Sequence, residues 1–416
     1  MKRFMLVFAL VAALLGGAIS SSHADTVLTG NTDGGAFFRI VVPTVWNGDL
    51  VIWNHGFSLN PVGPVSDLGP LVALQLSEGY AVAASSYQQL GWALFKTKND
   101  MQNLVNVFKA NFGTPNNVLV NGASLGGIVT AHVVEKANIG NVVGAYPICG
   151  ALAGSRNWNG ALDIRLTYDA VCANTPAAAI PGGTTGLPSP GFPAYPFTQT
   201  QMALAANACM GILTPPPFRT PLQNANLALF LSSTQLPASF ILTDLGFGLF
   251  GMSNVIWDPA KLDGGQGVGN ANVNYDNGGF IDTNITRVST SPGPANRLGK
   301  YFTPQGNVGS TKIVSLHTDG DGLVIVENEK EYADVVPAAN LTTAIVDEAG
   351  NTHCGFTASE TAAGWESLRA WVAGGPQPTA AGIQGLCLFI AGGNPTQCRI
   401  NPAFVVPDMD GRIRPR

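Results

Sequence analysis

A serine lies between two glycines at residues 122–126, which read Gly-Ala-Ser-Leu-Gly. The residues before it, 118–120, form a short apolar run typical of a buried strand, and residues 125–137 have the composition of a helix. A serine at a sharp strand-to-helix turn can project its hydroxyl clear of a sheet as a nucleophile. The alternative is that Ser124 is an ordinary helix N-cap or a packing residue. Because Gly-x-Ser-x-Gly also recurs by chance, its partners must decide between the two interpretations.

A nucleophilic serine needs a base, and the chain contains five histidines. His353 lies in Gly-Asn-Thr-His-Cys-Gly-Phe-Thr, a predicted loop before the final helix of the sheet-forming region, from which it could reach the end of a sheet. His132 falls in the helix after Ser124 and is expected to be a packed or surface residue of that helix, whereas His317 ends a predicted strand and is expected to be structural. His23 falls in a predicted signal sequence. We therefore predict His353 as the general base.

The acid that orients this base is expected at a strand end between the serine and the histidine. Asp319 and Asp321 both follow the apolar run at residues 312–316. The flanking glycines of Asp321 permit the turn that would aim its carboxylate, so Asp321 is favoured and Asp319 stays open. A calcium loop would need more oxygen ligands at regular spacing than this stretch supplies. No metal or cofactor is therefore expected.

The order Ser124, Asp321, His353 carries more weight than any single motif. Each residue follows a predicted strand, and open parallel sheets collect their functional groups at the carboxyl edge. The sequence therefore predicts a Ser-His-Asp triad at that edge.

The stretch Asn-His-Gly-Phe at residues 54–57 leaves an early predicted strand and enters a loop. Acyl transfer requires preorganised N–H groups that bind the oxyanion, and the backbone N–H groups of Leu125 and Phe57 are the predicted donors. Gly56 would let the backbone approach closely. His55 is expected to support this loop and not to act as the base.

The elements that must position these residues alternate between strand and helix along the chain. Strands are predicted at residues 37–42, 50–53, 80–84, 118–120, 142–148, 312–316 and 342–346, and helices at 71–77, 93–112, 125–137, 326–335 and 357–373. Such alternation predicts a mostly parallel sheet with helices on both faces.

The alternation stops near residue 150 and resumes only at residue 312. The simplest account is a core at 25–149 and 306–375, interrupted by a cap at 150–305 that is larger than any plausible loop. Residues 376–416 are expected to form a Pro/Gly-rich C-terminal tail. Apolar cap residues could line a water-poor pocket or simply form the core of the cap. They are Phe240, Leu245, Phe247, Leu249, Phe250 and Trp257.

Residues 1–24 look like a secretory signal peptide. Lys2 and Arg3 precede an apolar stretch at 4–18, and cleavage is expected before Asp25. A membrane anchor is the alternative, but this run is shorter than the roughly 20 apolar residues that a span requires. No later stretch is expected to be long and apolar enough to span a bilayer. The protein is predicted to be secreted or periplasmic, without stable membrane insertion.

Charged residues make up only 11% of the chain, and the formal net charge is −5. Nucleic-acid binding depends on Lys and Arg that neutralise phosphates, so this composition argues against a nucleic-acid partner. The six cysteines are an even number in a chain expected to be exported, which favours disulfides. Cys387 and Cys398 are close enough for a local bridge. No Cys-x-x-Cys occurs, so a zinc site is not expected.

Together, four motifs resemble those of α/β-hydrolases, over about residues 36–148 and 311–373. They are His-Gly-Phe at 55–57, Gly-Ala-Ser-Leu-Gly at 122–126, Asp-Gly-Asp-Gly-Leu-Val at 319–324 and His-Cys-Gly-Phe at 353–356. The resemblance implies an eight-stranded, mostly parallel sheet, a Ser-Asp-His triad and a cap that is often inserted after the sixth strand. It is not specific for a substrate.

Secreted tannase-like and feruloyl-esterase-like members of that superfamily join a cysteine beside the serine to one beside the histidine. Here Ala123 precedes Ser124, so the bridge cannot take that form. Cys354 could instead pair with Cys149 or with a cap cysteine. Pairs Cys172–Cys209 and Cys387–Cys398 would complete one possible set.

The expected function is that of a secreted serine hydrolase that cleaves small-molecule or polymeric carboxylic esters, with apolar or aromatic acyl groups. A serine peptidase on the same sheet is one alternative, and it would need a carboxylate or other anchor for a peptide terminus in the cap. Asp244, Asp258 and Asp263 are available there, but no pattern marks any of them. The other alternative is an exported binding protein without catalysis. The sequence does not indicate an oligomeric state.

Overall fold

The computed structural model describes residues 25–60, 63, 67–181, 197–348 and 350–409. The predicted signal peptide, part of the predicted cap and the end of the predicted tail lie outside these ranges. The strands are β1 (Thr26–Asn31), β2 (Phe37–Val42), β3 (Leu50–Asn54), β4 (Ala81–Ser85), β5 (Val118–Ala123), β6 (Val142–Ile148), β7 (Lys312–Thr318) and β8 (Leu341–Val346).

All eight strands form one sheet in the order β1-β2-β4-β3-β5-β6-β7-β8. The pairs β1–β2 and β2–β4 are antiparallel. The remaining pairs, from β4–β3 to β7–β8, are parallel. The predicted class, a mostly parallel eight-stranded sheet flanked by helices, is confirmed.

The α-helices are α1 (Val72–Ser77), α2 (Thr97–Phe112), α3 (Leu125–His132), α4 (Arg156–Cys172), α5 (Gln199–Met210), α6 (Pro221–Thr234), α7 (Ile241–Gly246), α8 (Met252–Trp257), α9 (Phe280–Asn284), α10 (Pro292–Lys300), α11 (Asn328–Ala333), α12 (Ala358–Val372) and α13 (Ala380–Ile390). They cover both faces of the sheet, and β3 shows how. Ile52 joins a cluster with Leu104 of α2 and Ile128 of α3. Val51, on the opposite face, joins a cluster with Leu368 of α12. Because both faces are covered, β3 is an unbroken apolar run without polar alternation up to Asn54.

Strand β1 was not predicted from the sequence pattern. Its residues, Thr-Val-Leu-Thr-Gly-Asn, are exposed or half-buried at every position. It lies at the sheet edge and pairs with β2 alone. An edge strand with little to bury has no apolar run by which to recognise it.

The described residues between β6 and β7 are mainly helical, from α4 to α10. Helices α7 and α8 join through a π-helical turn at Phe247–Gly251 into one helix, Ala238–Trp257, of 20 residues. Its length and hydropathy would suffice to cross a membrane, so the expectation that no later stretch has these properties is wrong. Inside the fold, however, 72% of the apolar 18-residue window of this helix is buried against other parts of the protein.

The predicted Pro/Gly-rich tail contains a helix that packs on the core. Helix α13 begins after Thr379, whose side chain accepts a hydrogen bond from the Gly382 N–H. Ile383 and Cys387 are buried, and Ile400 forms an antiparallel bridge with Val346 of β8. The described part of this segment is therefore attached to the edge of the sheet.

Candidate active site

Ser124 follows β5 directly, with backbone angles φ 59° and ψ −122°. This is a conformation that residues with a side chain adopt rarely and at a cost of roughly 1–3 kcal/mol. Ser124 holds the N-cap position of α3, but its side chain makes no capping hydrogen bond. The N-cap interpretation is therefore wrong, and the hydroxyl is free to face another partner.

The turn is possible because α3 begins in close contact with the end of β3. A Cβ at Gly126 would lie 1.9 Å from the carbonyl oxygen of Asn54, so only glycine fits there. Side chains also hold the start of α3 against the end of β3, because Asn54 Nδ2 donates to Thr130 Oγ1 at 3.1 Å. Thr130 in turn donates to the Gly126 carbonyl at 2.9 Å. The loop after β3 is thereby held next to Ser124.

The structure brings the predicted nucleophile, base and acid together. The Ser124 hydroxyl lies 2.7 Å from His353 Nε2, although 229 positions separate the two residues. His353 Nδ1 lies 2.6 Å from Asp321 Oδ2. A carboxylate oxygen accepts hydrogen bonds, so Nδ1 carries the ring proton and Nε2 is left to accept from the serine. The arrangement is that of a base oriented by an acid and directed at a hydroxyl.

Asp321 is fixed independently of the histidine. Its side chain is fully buried, and Oδ1 accepts hydrogen bonds from the Leu323 and Val324 N–H groups, both at 3.0 Å. Asp319 instead accepts a hydrogen bond from the Glu348 N–H at 2.7 Å. The geometry therefore assigns Asp321, and not Asp319, as the partner of the histidine.

A disulfide holds the loop that carries the histidine. Cys354, next to His353, is bonded to Cys149, which directly follows β6. The other pairs are Cys172–Cys209 and Cys387–Cys398, so the structure contains one of the sets left open by the sequence. Cys149, His353 and Cys354 lie close enough to hold a metal, but both sulfurs are in the disulfide and cannot act as thiolate ligands.

The loop at residues 55–57 lies beside the serine, and His55 supports it. The His55 ring stacks on Tyr87 with centroids 4.1 Å apart, and its Nδ1–H donates to the Gly56 carbonyl at 2.7 Å. Burial lowers the pKa of His55, which favours the neutral ring. A Cβ at Gly56 would lie 3.6 Å from the Ser124 Cβ. This loop therefore reaches the serine closely enough for its backbone to contact a bound substrate.

A pocket that opens to solvent is lined by Ser124 and by both predicted oxyanion residues, Phe57 and Leu125. Aromatic rings form much of its wall. They belong to Phe57, Trp92, Trp158 and Phe247. Between ring centroids, Phe57 lies 4.7 Å from Phe247 and 6.4 Å from Trp158, which in turn lies 5.5 Å from Trp92. The wall is thus a connected aromatic surface.

Among the six apolar cap residues named from the sequence, Phe247 lines this pocket. Leu245, Leu249 and Phe250 are buried in the main hydrophobic cluster, which agrees with the alternative that they form a core. Trp92 and Trp158 were missed, because nothing in the local pattern distinguishes a pocket tryptophan from a packed one.

The other two histidines weighed as bases lie away from the serine. His132 is buried on α3, where its Nδ1 lies 3.0 Å from Thr97 Oγ1. Burial lowers the pKa of His132 to about 4. His317 is buried on β7, with Glu329 3.0 Å from its Nδ1. Neither donates to or accepts from Ser124 among the contacts of the described chain.

No protein-family model and no curated protein matches this chain. Among solved structures, lipase A of Candida antarctica in its closed state has a TM-score of 0.44 at 10% identity, covering 89% of this chain and 85% of its own. A rice cell wall degrading esterase of Xanthomonas oryzae has a TM-score of 0.38 at 13% identity, covering 84% and 87%.

A puromycin hydrolase has a TM-score of 0.43 at 14% identity, covering 86% of this chain. The present chain spans only 40% of the length of that protein. These likenesses are distant, so the assignment of the fold rests on strand order and site geometry. The serine turn follows β5, Asp321 follows β7 and His353 follows β8, at one edge of the sheet. A mostly parallel eight-stranded sheet that carries a strained serine turn, an acid and a histidine in this order is the arrangement of the α/β-hydrolase fold.

Proposed function

We propose that this protein is a serine hydrolase that cleaves carboxylic esters through an acyl-enzyme. The observation that carries the proposal is the continuous chain of hydrogen bonds from Ser124 through His353 to Asp321, with distances of 2.7 and 2.6 Å. A hydroxyl bonded to an oriented imidazole is the arrangement that activates serine as a nucleophile.

In the first half-reaction, Ser124 Oγ attacks the ester carbonyl carbon while His353 Nε2 takes the hydroxyl proton. Asp321 stabilises the resulting imidazolium, which then gives its proton to the departing alcohol. In the second half-reaction, water gives a proton to His353 and attacks the acyl carbon. Collapse of that intermediate releases the acid and returns the proton to Ser124.

The tetrahedral intermediates carry a negative oxygen that needs hydrogen-bond donors. The Leu125 N–H at the start of α3 and the Phe57 N–H are the proposed pair, each worth about 3–4 kcal/mol of transition-state stabilisation. Two observations support this choice. Both residues line the pocket around Ser124, and the Gly56 backbone approaches the serine closely.

The pocket favours an apolar or aromatic acyl group. Four aromatic side chains line it beside the serine, and burying an apolar group there is favourable by about 25 cal/mol per Å². The substrate proposed is therefore an ester whose acyl portion is a hydrocarbon chain or an aromatic ring.

A serine peptidase is the second candidate, and one observation favours it. Asp244 on α7 lines the same pocket and is only 5% exposed. A carboxylate there could pair with the ammonium of a peptide N-terminus. Asp258 lies 3.4 Å from Lys261 Nζ, with which it forms an ion pair.

We also propose that the protein acts outside the cytoplasm, in the periplasm or beyond the cell. The three disulfides support this location, because such bonds persist mainly in oxidising compartments. The predicted signal peptide supports it as well.

The test is a comparison of p-nitrophenyl esters of graded acyl length with aminoacyl nitroanilides, using wild type, Ser124→Ala and Asp244→Asn. An esterase hydrolyses the esters with a preference for apolar acyl groups, and Ser124→Ala abolishes this activity while Asp244→Asn retains it. Preferential cleavage of the nitroanilides, lost in Asp244→Asn, would establish the peptidase. Activity that persists in Ser124→Ala would refute both.

A further inference from the structure

A histidine outside the proposed triad is buried directly behind its acid. His317 lies near the end of β7 with its side chain fully buried, and its Nε2 is 4.0 Å from Asp321 Oδ2. That oxygen is the one that receives the His353 Nδ1–H. The mechanism proposed above does not use His317. Buried ionisable groups are rare unless they are paired, so its partners indicate what it does.

Both ring nitrogens of His317 face oxygen atoms. Nε2 lies 2.7 Å from the Val324 carbonyl, which can only accept, so Nε2 carries a proton. Nδ1 lies 3.0 Å from Glu329 Oε1 on α11. The Ser315 hydroxyl also donates to that oxygen, at 2.7 Å, so Oε1 acts as an acceptor. Nδ1 therefore carries a proton too, and the ring is an imidazolium.

The charges around His317 support this state. Glu329 faces it from α11, and Asp321 faces it from the loop after β7. The neighbouring strand β8 places the apolar Ile345 opposite it in register. At the end of β6, Cys149 is held in its disulfide and does not titrate. The ionisable side chains in contact with the ring are thus both acidic.

Burial by itself lowers the pKa of His317. The hydrogen bond and charge of Glu329, the charge of Asp321 and the hydrogen bond to Val324 act in the opposite direction and outweigh burial. The pKa of His317 therefore lies above its ordinary value.

Val324 connects this histidine to the triad. Its carbonyl accepts from His317 at 2.7 Å, and its N–H donates to Asp321 Oδ1 at 3.0 Å. Val324 also lines the pocket around Ser124. A change at His317 is thus transmitted both to the orientation of Asp321 and to the pocket wall.

We infer that His317, as an imidazolium paired with Glu329, is a positioning residue that anchors the Val324 backbone and so keeps Asp321 aimed at His353. This inference rests on the proposed hydrolase function. The anchor itself uses the Nε2 proton, and the Nδ1 proton fixes the ring, since its loss would leave a bare nitrogen facing the Glu329 carboxylate oxygen.

The direction of the pH effect follows from the raised pKa of His317. Its stabilising contribution is fully present below the pKa of an unfolded histidine, about 6.5, and is lost as the pH rises through the higher folded value. The proposed activity should therefore decline at alkaline pH, when the His317 ring loses the Nδ1 proton that faces Glu329.

The first test observes the ring directly. Nitrogen-15 NMR of the whole protein labelled at histidine, with His317→Gln for assignment, should show both ring nitrogens of His317 protonated at neutral pH. A bare Nδ1, with the proton on Glu329 instead, would overturn the inference. If His317→Gln does not fold, substitutions of the other histidines give the assignment by elimination.

The second test is the pH profile of kcat and KM on a p-nitrophenyl ester. His317→Gln should lower kcat by roughly tenfold to hundredfold, the rate equivalent of one hydrogen bond to a charged group, with little change in KM. It should also lack the alkaline decline that wild type shows. Glu329→Gln should move that decline to lower pH, because it removes the largest influence that raises the pKa of His317.

His132→Gln is the matched control, because His132 is also buried but contacts Thr97 on α2 and not the acid loop. The His132→Gln variant should keep the wild-type dependence of kcat and KM on pH. A His317→Gln protein with wild-type kcat and an unchanged alkaline limb would refute the positioning role. If wild type neither hydrolyses an ester nor reacts with a fluorophosphonate at Ser124, the proposed function fails and the positioning role with it. The NMR result still decides whether the imidazolium exists.

Discussion

Ser124 combines a strained backbone with a side chain that points at a base. Its φ of 59° serves no helix cap, and its hydroxyl lies 2.7 Å from His353 Nε2. The strain is therefore associated with the placement of the hydroxyl. Strained residues persist where the surrounding structure determines them and cluster at functional sites.

This strain leads to a prediction about stability that does not depend on substrate. Ser124→Gly and Ser124→Ala should both be inactive, but the glycine variant should be more stable than the alanine variant by about 1 kcal/mol, because only glycine adopts a positive φ without cost. Denaturant unfolding of the two variants measures the difference. Equal stabilities, or a more stable alanine variant, would mean that the backbone at this position is not strained.

Asp319 and Asp321 lie two residues apart and provide a matched pair. Asp321→Asn should lower kcat by about 10⁴-fold, because an amide no longer holds the histidine in the required tautomer. Asp319→Asn should keep most of the activity, since Asp319 bonds to the Glu348 backbone instead. Steady-state kinetics of both variants on one ester decide the matter, and a larger loss from Asp319→Asn would reverse the assignment of the acid.

At the scale of elements, the residues that sequence reasoning placed correctly are those with a strong local signal. Seven strands bury apolar runs, and the loops with Ser124, Asp321 and His353 follow directly from them. The order of these three residues sufficed to predict that they meet. Strand β1 was missed because it buries little.

Helix α13 was overlooked because Pro and Gly surround it, although Thr379 begins it and Ile383 is fully buried. The pocket tryptophans could not be found either, because they are brought together only by long-range packing of α4 on the loop after β4. The same holds for the link from His317 to Val324, since no local pattern shows which hydrogen bonds a buried histidine makes.

The disulfide Cys149–Cys354 joins two elements that frame the site, across a sequence separation of 205. Replacing both cysteines by serine should cost about 2–3 kcal/mol more stability than replacing Cys387 and Cys398, whose separation is 11, because a longer closed loop restricts the unfolded chain more. The first variant should also lower kcat, since it releases the loop next to His353.

Thermal unfolding and ester hydrolysis of the two double variants measure these effects. Full activity in the variant that lacks Cys149 and Cys354, with activity lost only in the variant that lacks Cys387 and Cys398, would contradict the role of the Cys149–Cys354 disulfide in holding the loop next to His353.

At the scale of the whole molecule, the pocket forms where helices from the segment between β6 and β7 meet the carboxyl edge of the sheet. Phe57 comes from the loop after β3, whereas Trp158 and Phe247 come from that segment. Neither part alone would enclose an acyl group. In the proposed function, both regions therefore contribute to acyl selection, whereas Ser124, Asp321 and His353 all come from the sheet-forming region.

Phe247→Ala tests whether the segment between β6 and β7 contributes to acyl selection without positioning Ser124. Removing a ring from the pocket should lower kcat/KM for the preferred ester by roughly tenfold and shift the preference towards bulkier acyl groups, while the reaction of Ser124 with a small fluorophosphonate changes little. Phe218→Ala is the control, because Phe218 is 77% exposed. An unchanged acyl preference in Phe247→Ala would show that this ring does not contact the acyl group.

The most direct test of the proposed triad is mass spectrometry of the folded protein after treatment with a fluorophosphonate. We expect one adduct, on Ser124, that is absent in Ser124→Ala and forms much more slowly in His353→Gln. A folded wild type that remains unlabelled, or that carries its adduct on another residue, would contradict it.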